Sequence, residues 1–305
     1  MMKLILILLL VLPLYPCNAF SETPDLYFID AHSQADSQKV LGKIIPLMDQ
    51  AGVKLTILSG RRKLMSSDIA DFAEQHLGRI VASVRTKGRA YAEKRNGYYK
   101  NLGIDVSSSR FGAIAELLMY HAQKGDKADE VVVYPEDERV RKTLALAINK
   151  GWPLVAHIEF ASLSGKRKTK FMQQFEHLLD QNPEFPFALI HMGQLPVDEV
   201  RRLIESYGNV YFMTSHTNPE AISKSNQPWT SMFKGDVLAP EWQALVVQYP
   251  ERFILAFDNV WPDQWGDFYL QEAKYWRKAL AVLPSDVAHA IAHVNAERLW
   301  KISTK

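Results

Sequence analysis

Cysteine is nearly absent from the sequence, since Cys17 is the only one in 305 residues. A chain with one thiol has no internal disulfide, and without its first residues it has no thiolate for metal ligation or nucleophilic attack. A net charge of +2 gives no global surplus that would direct the chain to nucleic acid or an anionic membrane. Gly and Pro, 15 of each, are spread along the chain and do not indicate disorder.

Glycine-rich phosphate motifs are also missing. The first predicted strand is followed by Ala31-His32-Ser33-Gln34, which has none of the glycines of a dinucleotide-binding turn. The sequence contains neither a P-loop nor a nucleophile elbow of the G-x-S-x-G type. A doubly wound, nucleotide-binding sheet is therefore not expected.

The longest apolar run is at the N-terminus. Lys3 precedes the apolar run Leu4–Leu14, and Cys17-Asn18-Ala19 offers small side chains before a cleavage point. This pattern predicts a secretory signal peptide over residues 1–19 and a periplasmic or secreted mature protein. The run is short of the ~20 residues that span a bilayer, so no stable membrane insertion is expected after cleavage. Lipidation of Cys17 stays open, although Pro16 fits a lipoprotein cleavage site poorly.

Apolar, β-branched-rich runs alternate with longer amphipathic stretches through residues 20–305. This alternation is typical of a parallel α/β fold, and eight strand–helix units favour a single-domain (β/α)₈ TIM barrel. The predicted strands are Leu26–Ala31, Val53–Leu58, Ile80–Val84, Gly112–Leu117, Leu154–Ile158, Phe187–Ile190, Val210–Met213 and Phe253–Phe257. The predicted helices are Val40–Gln50, Ser67–Leu77, Glu136–Lys150, Lys170–Asp180, Val197–Tyr207, Glu241–Gln248, Gln271–Leu283 and Asp286–Trp300.

Five polar residues lie at or near the carboxyl ends of predicted strands. In a barrel these ends converge on one mouth, where the chemistry of the fold is located. Imidazole nitrogens and carboxylate oxygens are ligands that Zn²⁺ and similar divalent ions prefer. The sequence therefore predicts a metal site built from His32, Glu116, His157, His191 and Asp258.

The same residues carry a resemblance to a known family. The segment Ile29–Gln34 resembles the D-x-H-x-H opening of amidohydrolase-superfamily barrels, and Gly112–Glu116 resembles their fourth-strand glutamate segment. The segments that end in His157, His191 and Asp258 resemble the fifth-, sixth- and eighth-strand motifs. With Asn295–Leu299 as the usual closing helix, the likeness covers about residues 26 to 302 in the family's order.

The resemblance implies a metal-dependent hydrolase with a mono- or binuclear site. His32 and its partner two residues on would hold one ion with Asp258, and His157 and His191 would hold another. Glu116 would bridge the two ions. Asp258 would act as general base and then acid, and His191 would either ligate the metal or hydrogen-bond the developing oxyanion.

Gln34 departs from the family motif, because it replaces the second histidine of the H-x-H pair. An amide oxygen is a weaker ligand than imidazole, so the first metal position is weakened. One ion, a weak binuclear site and a site without metal all stay open. The expectation is one divalent ion, with Zn²⁺ as the first candidate.

Basic and aromatic residues follow several predicted strands, in the groups 61–63, 85–89 and 166–170 and in the aromatic segments 229–233 and 261–269. A positive rim around the mouth would attract a small anionic substrate. Arg61, Arg85, His216 and Trp261 are predicted to contact it. Nucleic acid is not favoured, because aromatic residues are not interleaved with the basic groups.

Two other functions stay open. The same barrel supports decarboxylases in one branch of the superfamily, and Gln34 would also suit a degenerate barrel that binds a periplasmic ligand without converting it. Four of the remaining histidines are interpreted as surface or packing residues of helices: His76, His177, His289 and His293. The role of His121 is ambiguous.

Overall fold

The computed structural model describes residues 26–125 and 128–303. The predicted signal peptide and Cys17 lie outside these described residues. Within them, every helix is too short or too polar to cross a membrane.

Parallel strands form most of the fold. One sheet has the order β1-β2-β3-β4, a second has the order β12-β9-β8-β7-β5-β6, and β10 and β11 form a separate hairpin. All pairs are parallel except β5–β6 and β10–β11. The strands are β1 Phe28–Ala35, β2 Val53–Gly60, β3 Ile80–Val84, β4 Ala113–Ile114, β5 Leu117–His121, β6 Val131–Val132, β7 Leu154–Ile158, β8 Phe187–Leu189, β9 Val210–Met213, β10 Phe233–Lys234, β11 Val237–Leu238 and β12 Phe253–Ile254.

Helices follow most of the parallel strands and cover the outer face of the curled sheet. In the described residues they are α1 Gln38–Ala51, α2 Ser66–Gln75, α3 Arg89–Ala92, α4 Asn96–Ser107, α5 Glu138–Lys150, α6 Gly165–Gln181, α7 Val197–Ser206, α8 Pro219–Ser223, α9 Pro240–Gln248, α10 Tyr269–Ala281, α11 Ser285–His289 and α12 Asn295–Trp300. A wider helical turn, Ala290–Val294, joins α11 to α12.

Alternate residues of the strands belong to two different apolar clusters, as expected for a sheet that is covered on both faces. Phe28 and Leu154 pack with the helices, whereas Ile29 and Val155 belong to a smaller cluster that also contains Trp300. The C-terminal helix therefore packs on the residues of the inner face.

The first strand also meets the segment after the last strand. Ala31 N donates to Leu255 O at 3.0 Å, and Asp258 N donates to His32 O at 2.8 Å. Gln34 N donates to Asn259 O at 2.8 Å. These bonds bring Asp258, which follows the last strand along the chain, beside His32, which lies in the first strand.

The fold confirms the predicted α/β class, with three corrections in detail. The predicted fourth strand is divided: β4 pairs with β3, β5 pairs with β7, and Glu116 lies between them. The segment 165–170, predicted as a basic loop, forms the first turns of α6.

The third correction concerns the segment before β4, where the sequence predicts no helix although α3 and α4 are present. Two glycines, Gly97 and Gly103, lower the helix propensity of α4. Burial of Tyr98, Leu102 and Val106, four residues apart on one face, outweighs that cost.

Candidate metal centre

A bulge in β1 directs two predicted ligands to the inner face. Asp30 lies opposite Thr56 but Ser33 lies opposite Leu58, so β1 has one more residue than β2 in this stretch. After one extra residue, each later side chain of the strand points to the opposite face of the sheet from the one it would otherwise face. His32 and Gln34 consequently face the carboxylates of Glu116 and Asp258.

Three ligand atoms lie close together, and two of their three separations match those around a bound ion. His32 Nε2 is 3.5 Å from Glu116 Oε1 and 3.4 Å from Asp258 Oδ1. Ligand atoms ~2.1 Å from a tetrahedral ion are roughly 3.4 Å apart, so both distances match edges of such a tetrahedron. His32 Nε2 is buried and has no hydrogen-bond partner among the described residues. A buried nitrogen of this kind calls for a ligand, and these residues fit a divalent ion.

Gln34 joins this set through its amide nitrogen. Gln34 Nε2 donates to Glu116 Oε1 at 2.9 Å and to Asp258 Oδ1 at 2.8 Å. Trp265 Nε1 donates to the backbone oxygen of Gln34 at 3.0 Å and fixes the strand there. The predicted ligand is thus in place, with its nitrogen rather than its oxygen toward the two carboxylates.

Glu116 is fully buried between two positive groups. Its Oε1 forms an ion pair with Lys87 Nζ, and its Oε2 is bonded to His157 Nδ1. Burial alone would raise the pKa of Glu116, but the charges of Lys87 and His157 hold it well below its usual value. Glu116 is therefore ionised in the site.

His157 is bonded through both ring nitrogens. Its Nδ1 faces Glu116, and its Nε2 lies 3.2 Å from Glu159 Oε1. Burial would lower the pKa of His157, but the two carboxylates together raise it. Glu159 is held by Lys124 Nζ at 2.8 Å and by the backbone N–H of Ala122 at 2.8 Å. In this arrangement His157 contacts a carboxylate on each side of its ring and orients Glu116.

His191 lies on the other side of Asp258. Its Nε2 is 3.4 Å from Asp258 Oδ2, and its Nδ1 is 2.9 Å from Ser215 Oγ. Ser215 Oγ also accepts a bond from the backbone N–H of His191 at 3.1 Å, so its own hydrogen is free to reach Nδ1. Burial, then the neighbouring His216 and His157, lower the pKa of His191 well below its usual value. A neutral ring with its proton on Nε2 satisfies these contacts.

His216 packs against His191 and is itself buried. The two rings are stacked with centroids 4.6 Å apart, and Trp229 lies 4.9 Å from His216. Both nitrogens of the His216 ring lack a hydrogen-bond partner within the part of the chain that is described. Burial lowers its pKa, so the ring is neutral. The predicted substrate residue therefore presents unsatisfied polar atoms at the site.

Three site residues have left-handed backbone conformations. The φ angles are 55° at His191, 58° at His216 and 53° at Asp258. Each costs on the order of 1 kcal/mol or more in a residue with a Cβ atom. Such strain is concentrated at functional sites, where the surrounding structure imposes it.

The sequence matches the amidohydrolase family model over residues 29–302. The chain belongs to the amidohydrolase family. This assignment confirms the resemblance found in the strand-end motifs. No curated protein matched the sequence closely enough to count as a relative.

Solved structures of the same fold are distant in sequence. An uncharacterized TIM-barrel protein from Bordetella bronchiseptica matches with a TM-score of 0.58 and 14% identity, over 90% of this chain and 99% of that one. The 5-carboxyvanillate decarboxylase of Novosphingobium aromaticivorans, complexed with manganese and a nitrobenzoic acid, matches at 0.55 and 14%, over 92% and 98%. The structure of a probable 2-pyrone-4,6-dicarboxylic acid hydrolase from Acinetobacter baumannii, with citric acid bound, matches at 0.53 and 14%, over 90% and 99%. At this identity they establish the TIM-barrel type of fold for this amidohydrolase.

Four groups of three candidate ligand atoms lie within 4.8 Å of one another in this amidohydrolase-family site. The first is the set already described. The groups are His32-Glu116-Asp258, Glu116-His157-His191, His191-His216-Asp258 and His121-His157-Glu159. In the second and fourth, His157 already uses both nitrogens on carboxylates, and in the third the proton on His191 Nε2 faces Asp258. We therefore favour the first group as the ion position.

The other predicted substrate residues differ in what they contact. The guanidinium of Arg61 lies 4.2 Å from the centre of the Trp261 ring, and burial lowers its pKa. Arg85 instead donates to backbone oxygens of Lys87 and Leu64, each at 3.1 Å. Arg61 and Trp261 are thus brought together at the mouth, whereas the guanidinium of Arg85 ties two loops.

Several functional contacts were not predicted. Glu159 lies two residues after His157, and residues two apart on a strand share a face, so the spacing would have indicated it. Lys87 was recognised only as part of the basic rim. Lys124 and Ser215 lie in segments whose placement depends on the β5–β6 hairpin and on the end of β9.

Proposed function

We propose that this amidohydrolase-family protein hydrolyses a small anionic substrate with the help of one divalent ion. Three residues would hold the ion, and we call them the ion set: His32, Glu116 and Asp258. Gln34 lies beside them. An ion such as Zn²⁺ or Mn²⁺ at this position supplies a water of lowered pKa and polarises a carbonyl or phosphoryl oxygen.

Asp258 has two oxygens with different neighbours, and this is the observation that carries the proposal. Its Oδ1 belongs to the ion set, 3.4 Å from His32 Nε2, while its Oδ2 faces His191 at 3.4 Å. One residue can therefore support the ion and also take a proton from the attacking water. Asp258 then returns that proton to the leaving group.

His191 completes the reacting centre as a hydrogen-bond donor. Ser215 fixes the ring, and the neutral Nε2–H points toward Asp258 Oδ2. A rigid donor in a buried site stabilises negative charge that develops on the substrate oxygen. Substrate charge is met by Arg61 and by Lys124, whose ammonium lies 4.8 Å above the Trp229 ring.

Asp258→Asn tests the proposal. Asparagine tolerates a positive φ well and keeps one side-chain oxygen, so the fold and ion binding should persist. We expect hydrolysis of lactone, carboxylate ester or phosphoester substrates to fall by at least about a thousandfold, because the general base is lost. Asp267→Asn, at an exposed position after β12, is the matched control. Activity in Asp258→Asn equal to that of the control would refute the role of Asp258.

Decarboxylation is the second candidate, because the half-buried cations Arg61 and Lys124 would equally hold a substrate carboxylate. The solved 5-carboxyvanillate decarboxylase has a related fold, although the low identity carries the likeness no further than the fold. Product analysis separates the two reactions, since only decarboxylation releases carbon dioxide. Binding of such substrates without any product would instead favour a non-catalytic barrel.

We also propose that the protein is exported, on the grounds of the apolar N-terminal segment and the small residues that follow it. Fractionation of cells that express the full chain is the test. Protein found only in the cytoplasm with an intact N-terminus would rule export out.

A further inference from the structure

Lys87 is held in position by the residues immediately before it. Thr86 Oγ1 donates to the backbone oxygen of Glu116, and Arg85 Nε donates to the backbone oxygen of Lys87 at 3.1 Å. The same Arg85 side chain bonds Leu64 O at 3.1 Å. The loop after β3 is therefore fixed to both neighbouring segments, and the Lys87 side chain, only 26% exposed, extends toward Glu116.

The ammonium of Lys87 contacts Glu116, one of the three residues of the ion set, and also Gln34 beside it. Lys87 Nζ pairs with Glu116 Oε1 and lies 3.3 Å from Gln34 Oε1. Glu116 Oε1 is also the oxygen 3.5 Å from His32 Nε2. Because the oxygen of Gln34 faces Lys87, its nitrogen faces the two carboxylates. One ammonium thus fixes both the amide orientation and the charge on Glu116.

A divalent ion at the same oxygen would repel this ammonium. Two cations at one carboxylate oxygen in a buried site oppose each other much more strongly than they would in water. The oxygen of Gln34 could face only one of them at a time. The amide of Gln34 accepts from Lys87 through its oxygen and donates to the carboxylates through its nitrogen, so Gln34 and Lys87 form a matched pair.

We propose that Lys87 is a tethered cation that competes with the divalent ion for Glu116 Oε1 and thereby weakens ion binding. The inference rests on the ion set of the proposed function and adds a control on it. The Lys87–Gln34 pair balances Glu116 when no divalent ion is bound. The ion must displace Lys87 before it gains all three ligands.

Lys87→Met is the principal test, with Lys63→Met at an exposed position of the neighbouring basic loop as control. The full chain is stripped with a chelator, and Mn²⁺ and Zn²⁺ binding is measured by calorimetry. We expect Kd to fall by about tenfold or more in Lys87→Met, since a tenfold change needs only ~1.4 kcal/mol. Lys63→Met should match the original protein, and Lys87→Arg, which keeps the charge, should not bind more tightly.

The rise in unfolding temperature that added Mn²⁺ produces is a readout that a purely structural role of Lys87 would not move. In chelator, Lys87→Met should unfold at a lower temperature than the original protein, because Glu116 loses its ammonium. Added Mn²⁺ should raise the unfolding temperature of Lys87→Met by more than it raises that of Lys63→Met. Equal ion affinities and equal shifts in all variants would overturn the competition and leave the proposed function standing. Absence of ion binding in every variant would overturn the ion set, and both proposals with it.

Discussion

Glu272 of α10 is a buried carboxyl group that is hydrogen-bonded to the loop that carries His216. Its protonation should make the stability of the fold depend on pH. Glu272 is fully buried, and Asn218 Nδ2 donates to its Oε1 at 2.9 Å. Its Oε2 has no partner within the described part of the chain. Asn218, two residues after His216, also accepts from Ala221 N at 3.1 Å and so caps α8. Glu272 therefore anchors this mouth loop from below.

Burial raises the pKa of Glu272 well above its usual value, with Asn218 as a smaller opposing influence. The folded state then retains a proton that the unfolded chain releases above pH ~4.3. Stability falls as pH rises from that value through the raised folded pKa, by up to about 1.4 kcal/mol per pH unit. Glu272→Gln keeps an oxygen for Asn218 and removes the proton linkage. The variant should consequently gain stability relative to the original protein as pH rises.

The assay is urea unfolding at pH values from about 5 upward, where the unfolded chain has already released this proton. The difference in unfolding free energy, variant minus original, should increase steadily with pH. Glu184→Gln, at an exposed position, should give a curve parallel to that of the original protein. If Glu272 is ionised in the fold, the variant would instead lose a constant ~1.5–3 kcal/mol with no pH trend, and the reasoning would fail.

Two further predictions concern catalysis. Arg61→Gln should raise KM for anionic substrates roughly ten- to hundredfold, because a charge-assisted hydrogen bond is lost, while KM for neutral analogues stays unchanged. A similar rise for both substrate classes in steady-state kinetics would contradict a charge-specific role. Ser215→Ala should lower kcat by roughly 10–100-fold with little change in KM, because His191 loses the partner that orients its ring. An unchanged kcat would show that the backbone alone positions His191.

Strand location was predicted well where an apolar run is closed on both sides by polar or turn residues. The bounds of Ile80–Val84, Leu154–Ile158 and Val210–Met213 are the same in the sequence and in the structure. These strands are covered on both faces, so their side chains alone indicate their extent. The division of the predicted fourth strand around Glu116 has no such signal, because it depends on which neighbour each half pairs with.

The sequence also predicts which residues lie together at the candidate site, but it does not indicate what each of them does there. The barrel argument gathers His32, Glu116, His157, His191 and Asp258, and the structure does bring them together. Yet a histidine at a strand end has the same appearance whether it ligates an ion or pairs with a carboxylate. His157 is bonded to two carboxylates: Glu159 follows its own strand, and Glu116 directly precedes the neighbouring strand β5. Such assignments depend on neighbours that no local pattern specifies.

The direction of the side chains was the least predictable feature, and the backbone explains why. Strand-end reasoning places His191 and Asp258 at the mouth, but a positive φ at each turns the chain out of the extended strand. Asp258 is held there by the bond from its N–H to His32 O at 2.8 Å, and His191 by the bond from its N–H to Ser215 Oγ at 3.1 Å. Both bonds join segments far apart in sequence. The geometry that places Asp258 between His32 and His191 is therefore a tertiary property, because hydrogen bonds between distant segments impose it on residues whose backbone would otherwise avoid a positive φ.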